Sequence, residues 1–103
     1  MTFDEFQEAA GRTAIYPRSL GLVYTALGLA SEAGEVAGKV KKSIRDTAPV
    51  REAVADELGD VLWYAAMLAK ELDLSLSEIA ERNVRKLSDR AQRGALQGSG
   101  DRR

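Results

Sequence analysis

The chain predicts an all-α fold, a compact four-helix subunit in a single domain, and three observations carry that expectation. Apolar residues recur at steps of three and four over long stretches. No segment shows the strict alternation of a half-buried strand. Cap and breaker residues divide the helical stretches at short intervals. With 103 residues there is room for one modest core, which a chain this small often supplements by self-association.

Thr2 followed by Glu5 forms a capping-box pattern, so the first helix is expected to start at Phe3, with Phe3, Phe6 and Ala10 on one face. Gly11 to Pro17 reads as its end and a connection, with Pro17 as the breaker. A second helix is expected from about Ser19 to Arg45, with Leu22, Ala26, Leu29, Ala33, Val36, Val40 and Ile44 as its core-facing stripe. Gly28, Gly34 and Gly38 lie inside it, each at a cost of about 1 kcal/mol relative to Ala. They are read as points of close helix packing. Lys39, Lys41, Lys42 and Arg45 crowd its C-terminal end, where cations suit the helix dipole.

Asp46-Thr47-Ala48-Pro49 is a turn, with Pro49 expected at the start of a third helix that runs to about Leu72. Its stripe is Val54, Leu58, Val61, Ala65, Leu68 and Leu72. Ser75 and Glu78 form a second capping box, opening a fourth helix to about Arg90 with Leu76, Ile79, Ala80, Val84 and Leu87 facing inward. Residues 1–93 are read as the domain and residues 94–103 as a Gly/Ser/Arg tail.

Composition narrows the function. The chain is 45% hydrophobic and 30% charged with a net charge of -1, which fits a globular protein and does not suggest nucleic-acid polymer or anionic membrane as a partner. There is no cysteine and no histidine. Disulfides and thiolate sites are excluded, and so are most zinc and di-iron centres, since no Glu-x-x-His exists. No apolar run is long enough to span a bilayer, and the acidic start carries no signal-peptide pattern. The expected location is cytoplasmic.

Two acidic pairs stand in apolar surroundings. Between Leu20 and Gly38 the only charges are Glu32 and Glu35, and Glu57 and Asp60 precede an uncharged run from Val61 to Ala69. Residues three apart share a helix face. Glu32 and Glu35 therefore point the same way, together with Gly28 and Lys39, and Glu57 and Asp60 align with Tyr64. If the two helices pack through their stripes, the acidic rows meet at the edge of the core. Four carboxylates there repel unless cations intervene. An oxygen-only donor set points to Mg²⁺ or Mn²⁺. The plainer alternative is a set of solvated acids paired with Lys39, Lys42 or Arg51. On the fourth helix, Asn83 interrupts the inward face, with Lys86 and Arg90 along the same edge, a combination that suits an anion such as triphosphate. The alternative is a buried amide satisfied by backbone. Tyr64, one turn after Asp60, is placed to stack on a base or bond a phosphate, whereas Trp63 reads as packing or interface.

Glu32-x-x-Glu35, a linker of 21 residues, Glu57-x-x-Asp60 and then Asn83-x-x-Lys86 resemble the signature of the MazG-like all-α nucleoside triphosphate pyrophosphohydrolases, and the resemblance covers nearly the whole chain. It implies an all-helical subunit assembling as a dimer or tetramer, and Mg²⁺-dependent hydrolysis of a nucleoside triphosphate to the monophosphate and pyrophosphate, in the service of nucleotide-pool cleaning. It implies that Glu32, Glu35, Glu57 and Asp60 are catalytic metal ligands, and that Asn83, Lys86 and Arg90 hold phosphates; Tyr64 and Lys39 complete the expected substrate-binding set. Ser31 departs from the acid or glycine that many members carry there. The rivals are a related phosphoribosyl-ATP or dUTP-type pyrophosphohydrolase, and a helical metal-binding or dimerisation module without turnover.

Overall fold

The computed structural model describes residues 1–101 and holds four α-helices, with no strand among the described residues. They are α1 (Phe3–Gly11), α2 (Gly21–Asp46), α3 (Arg51–Glu71) and α4 (Leu76–Gln92), and a 3₁₀ turn at Arg18–Leu20 leads into α2. Both capping boxes form. The Thr2 hydroxyl accepts from the Glu5 amide at 3.1 Å while the Glu5 carboxylate accepts from the Thr2 amide. Ser75 and Glu78 do the same at the start of α4. Pro49 lies two residues ahead of α3, which starts at Arg51 behind Val50 rather than at the proline.

α2 and α3 form the main helix pair. α1 packs on α3 and α4, α4 packs on α1 and α3, and α4 does not meet α2. The buried core is small: Ala10, Tyr16, Ala66, Met67 and Leu76, with Phe6, Ala14 and Trp63 against it. The Gln7 side chain ties three elements together. Its amide nitrogen donates to the Ala66 and Leu74 carbonyls and its oxygen accepts from the Leu76 amide.

Most of the expected core stripe of α2 is exposed, with only Leu29 and Val36 half-buried. Leu22 is 52% exposed, Val40 41% and Ile44 77%. The residues against α3 are instead Gly21, Thr25, Gly28 and Glu32, a row about 90° around the helix at the usual 100° per residue. Thr25 is fully buried, its hydroxyl donating to the Gly21 carbonyl at 2.7 Å. A Cβ on Gly28 would fall 2.5 Å from Cζ of Tyr64 and nearer still to other ring atoms, and one on Gly21 would meet the Glu71 carboxylate. Small residues let α3 approach on this side, which leaves most of the leucine stripe outside. The close-packing expectation therefore holds at Gly28, whereas Gly34 and Gly38 face open space.

α4 departs from expectation in the same way. Ile79 (38%), Val84 (63%) and Leu87 (40%) are exposed, and the buried positions of the helix are instead Leu76 at its start and Arg90 near its end. The radius of gyration is 16.3 Å, against about 13 Å for a compact chain of this length. Much apolar surface stays uncovered: Leu58 and Leu62 line a groove of about 490 Å³ on α3 together with Ala55, Gly59, Val61 and Ala65. No described helix is long and apolar enough to cross a membrane. The expected tail begins just past α4, where Gly94 takes φ 68°; Arg102 and Arg103 lie outside the described residues.

Candidate metal and phosphate site

Packing α2 on α3 through the Gly28 row carries the acids with it. Glu32 follows Gly28 by one turn on α2, and Glu57 and Asp60 precede Tyr64 on α3. One carboxylate oxygen from each of Glu32, Glu57 and Asp60 lies within 4.8 Å of the others. Glu32 and Glu57 are half-buried and Asp60 is exposed, so the cluster opens to solvent on one side. Glu35, one turn further along α2, is exposed and stays outside this group. Its charge still reaches Glu32.

The electrostatics are those of a site short of positive charge. Burial raises the Glu32 carboxyl above its ordinary 4.5, and Asp60, a hydrogen bond with Glu57, the Glu57 charge and Glu35 push it the same way. None of the ion pairs among the described residues involves these four acids; Arg51, one of the partners the plainer alternative required, sits beside Glu52 instead. Lys39, half-buried on α2, makes no ion pair with them. The donor set is three or four oxygens without nitrogen or sulfur, which suits a hard divalent cation such as Mg²⁺ or Mn²⁺. The residues present therefore fit the metal that the sequence implies.

An aromatic wall borders the acids. Tyr24 and Tyr64 lie with centroids 6.3 Å apart, Tyr64 meets Trp63 edge-on at 4.9 Å, and Tyr16 stacks on Tyr24 at 5.0 Å. Burial raises the Tyr64 phenol above its ordinary 10.0, followed by its hydrogen bond and charge interaction with Tyr24 and by the charges of Glu32 and Asp60. Trp63 is a packing residue in this subunit, donating from Nε1 to the Thr13 hydroxyl at 2.9 Å. Tyr16 donates to Glu71 at 2.9 Å. This wall was only partly legible beforehand, since Tyr16 and Tyr24 reach it through the backbone path around Pro17.

Asn83, Lys86 and Arg90 form a second group, on α4. Asn83 is not buried as expected; it lines a cleft of about 480 Å³ with Ile79, Arg82, Lys86 and Asp101. The lining of this cleft includes none of the four acids, and α4 does not approach α2, which carries Glu32. Two residues of the cleft were not anticipated. Arg82 lies one residue before Asn83 and could have been noticed as a further cation. Asp101 comes from the tail, and no local signal places it there.

The family model of the MazG nucleotide pyrophosphohydrolase domain matches residues 23–94, a span that contains all four acids together with Asn83, Lys86 and Arg90. The Gene 37 protein of Mycobacterium phage L5 is 48% identical over an alignment covering the whole of both chains. No solved structure matches the sequence.

Proposed function

This chain belongs to the MazG nucleotide pyrophosphohydrolase family, and on that premise we propose that it is a Mg²⁺-dependent hydrolase cleaving a nucleoside triphosphate to the monophosphate and pyrophosphate, acting in the cytoplasm to clear unwanted nucleotides. The observation that carries the reading is the convergence of Glu32, Glu57 and Asp60 from two helices without a cationic side chain to balance them. These three would hold the metal, with Glu35 one turn away to join the set or orient a water. A bound divalent cation would neutralise the acids and polarise the phosphate oxygens.

The chain's own residues supply the rest. Tyr64 and Tyr24 offer flat apolar faces beside the acids for a base or ribose. Lys86 presents a point charge and Arg90 a planar fork suited to two phosphate oxygens. Charge grows on the leaving pyrophosphate, so donors at that end strengthen in the transition state and lower the barrier. Because α4 stands away from α2, these cations reach a triphosphate at the acids from a second copy of the chain. The exposed apolar residues of α2 and α3, among them Leu22, Leu27, Leu58 and Leu62, and the large radius of gyration favour such an assembly, a dimer or tetramer. Placing charge in the α3 groove tests it: Leu58→Glu with Leu62→Glu should convert the sedimenting species to an 11.2 kDa monomer, and a parent chain already monomeric at micromolar concentration would refute the assembly.

The deciding experiment is a panel of ribo- and deoxyribonucleoside triphosphates, including dUTP and phosphoribosyl-ATP, incubated with Mg²⁺ and resolved by product. Monophosphate and pyrophosphate support the reading and identify the substrate. Release of orthophosphate and diphosphate refutes it. Cation binding with no turnover on any substrate leaves a non-catalytic metal-binding module.

A further inference from the structure

The cleft on α4 already contains an anion, and it belongs to the protein. Beyond Gln92 the chain turns back. Gly94 adopts a left-handed conformation, the Ala95 amide donates to the Arg90 carbonyl at 2.7 Å, and the following residues run along α4. At the end of that path one oxygen of the Asp101 carboxylate accepts from Lys86 Nζ at 3.1 Å and from Arg90 Nη2 at 3.4 Å, and the same guanidinium nitrogen donates to the Gly100 carbonyl at 3.4 Å. The Arg90 side chain is 4% exposed, whereas that of Asp101 is 81% exposed. A buried guanidinium is thus served by a solvated carboxylate. The Lys86 half of the contact is an exposed and weak ion pair. The buried Arg90 charge is costly to leave unpaired, so the carboxylate leaves readily only when another anion takes its place. The cations beside Asp101 hold its carboxyl below the ordinary 3.8, with Lys86 contributing most.

We propose that the tail is a displaceable internal competitor: Asp101 occupies the position of a phosphate between Lys86 and Arg90, and a polyphosphate entering the Asn83 cleft must evict it. The inference rests on the reading of this cleft as the phosphate end of the site. It adds a regulatory element, since the tail lowers the apparent affinity for every phosphate ligand by the fraction of time it is seated. A tail that leaves when phosphate arrives also uncovers Arg90, so the guanidinium's two-pronged grip becomes available only in the liganded state. One carboxylate offers two oxygens and one negative charge, whereas a triphosphate offers several of each, so the exchange favours the ligand.

The test is calorimetric binding of inorganic triphosphate to the full-length protein in excess chelator, which removes any contribution from metal at the acids. Sulfate at matched ionic strength serves as the control for screening. Asp101→Asn should tighten binding about two- to fivefold, the range expected for loss of the exposed Lys86–Asp101 pair that competes with the ligand, and Lys86→Ala in that background should abolish it. On titration, amide signals of Gly98 to Asp101 should shift in the parent chain with the same midpoint as the heat. Equal affinity of parent and Asp101→Asn, with Lys86→Ala still abolishing binding, would refute the competitor while leaving the cleft a phosphate site. No binding by either protein would refute the phosphate reading, and the competitor with it.

Discussion

Replacing Gly28 by Ala probes the contact on which the acid cluster depends. In an exposed helix interior the change would stabilise by about 1 kcal/mol, because Gly is the poorer helix former. At Gly28 the new methyl meets the Tyr64 ring well inside the 3.0 Å that real Cβ atoms respect. A ring wedged between Tyr24 and Trp63 cannot swing clear, so α2 and α3 must separate by about 1 Å to restore van der Waals contact. Overpacking of that kind costs about 1–3 kcal/mol. The balance is a loss of about 0–2 kcal/mol, against a gain of about 1 kcal/mol for Gly34→Ala, whose Cβ meets nothing within 4 Å. For a domain of this size each kcal/mol moves Tm by about 4–8 °C, so the two variants should melt clearly apart in a circular dichroism scan. Separation of the helices also draws Glu32 away from Glu57 and Asp60. Luminescence of Tb³⁺, sensitised by the neighbouring Tyr64 and Trp63, should therefore show weaker cation binding in Gly28→Ala and unchanged binding in Gly34→Ala. Equal melting temperatures and equal Tb³⁺ affinity would refute the argument that Gly28 sets the spacing of the site.

Glu32→Gln removes a charge that the folded state disfavours. Its carboxyl is raised above 4.5, so the folded chain holds that proton more tightly than the unfolded one, and stability is lost as pH rises through the raised value. The metal-free variant should melt higher than the parent at pH 7, while Tb³⁺ affinity falls at least about tenfold; a lower metal-free Tm would contradict the reading. Gln7→Ala strips partners from the Leu76 amide and from two carbonyls at the α1–α3–α4 junction and should cost about 1–3 kcal/mol by urea denaturation, a loss under 0.5 kcal/mol counting against that role. The tail contact should follow pH in the opposite sense to Glu32: Asp101 is lowered from 3.8, so its contact is complete above that value and is lost as pH falls through the lower one. A ¹³C titration of the Asp101 carboxyl with its midpoint at or above 3.8 would disprove the contact.

The sequence alone determined the four helices, the two capping boxes and the family. Those are local matters. A capping box is closed by residues three apart, a helical period is read within a few turns, and an i, i+3 acidic pair shares a face wherever the helix goes. So Thr2, Ser75, Glu32, Glu57 and Asp60 were legible from the chain. Which face of each helix is covered was decided only by the tertiary structure. Periodicity reports where the large apolar residues lie, whereas packing also rewards close approach, and on α2 the small row of Gly21, Thr25 and Gly28 outcompeted the leucine stripe for α3. That choice turned Glu32 into the interface and left Glu35 on the rim, a distinction invisible in two identical spacings. It also left most of the α2 stripe outside, and on α4 Asn83 is exposed rather than inward. Gln7 reaches residues 59 to 69 positions away, and Asp101 returns to Lys86 across 15. Contacts of that range depend on the path of the whole backbone, and no pattern within a few turns of sequence encodes them.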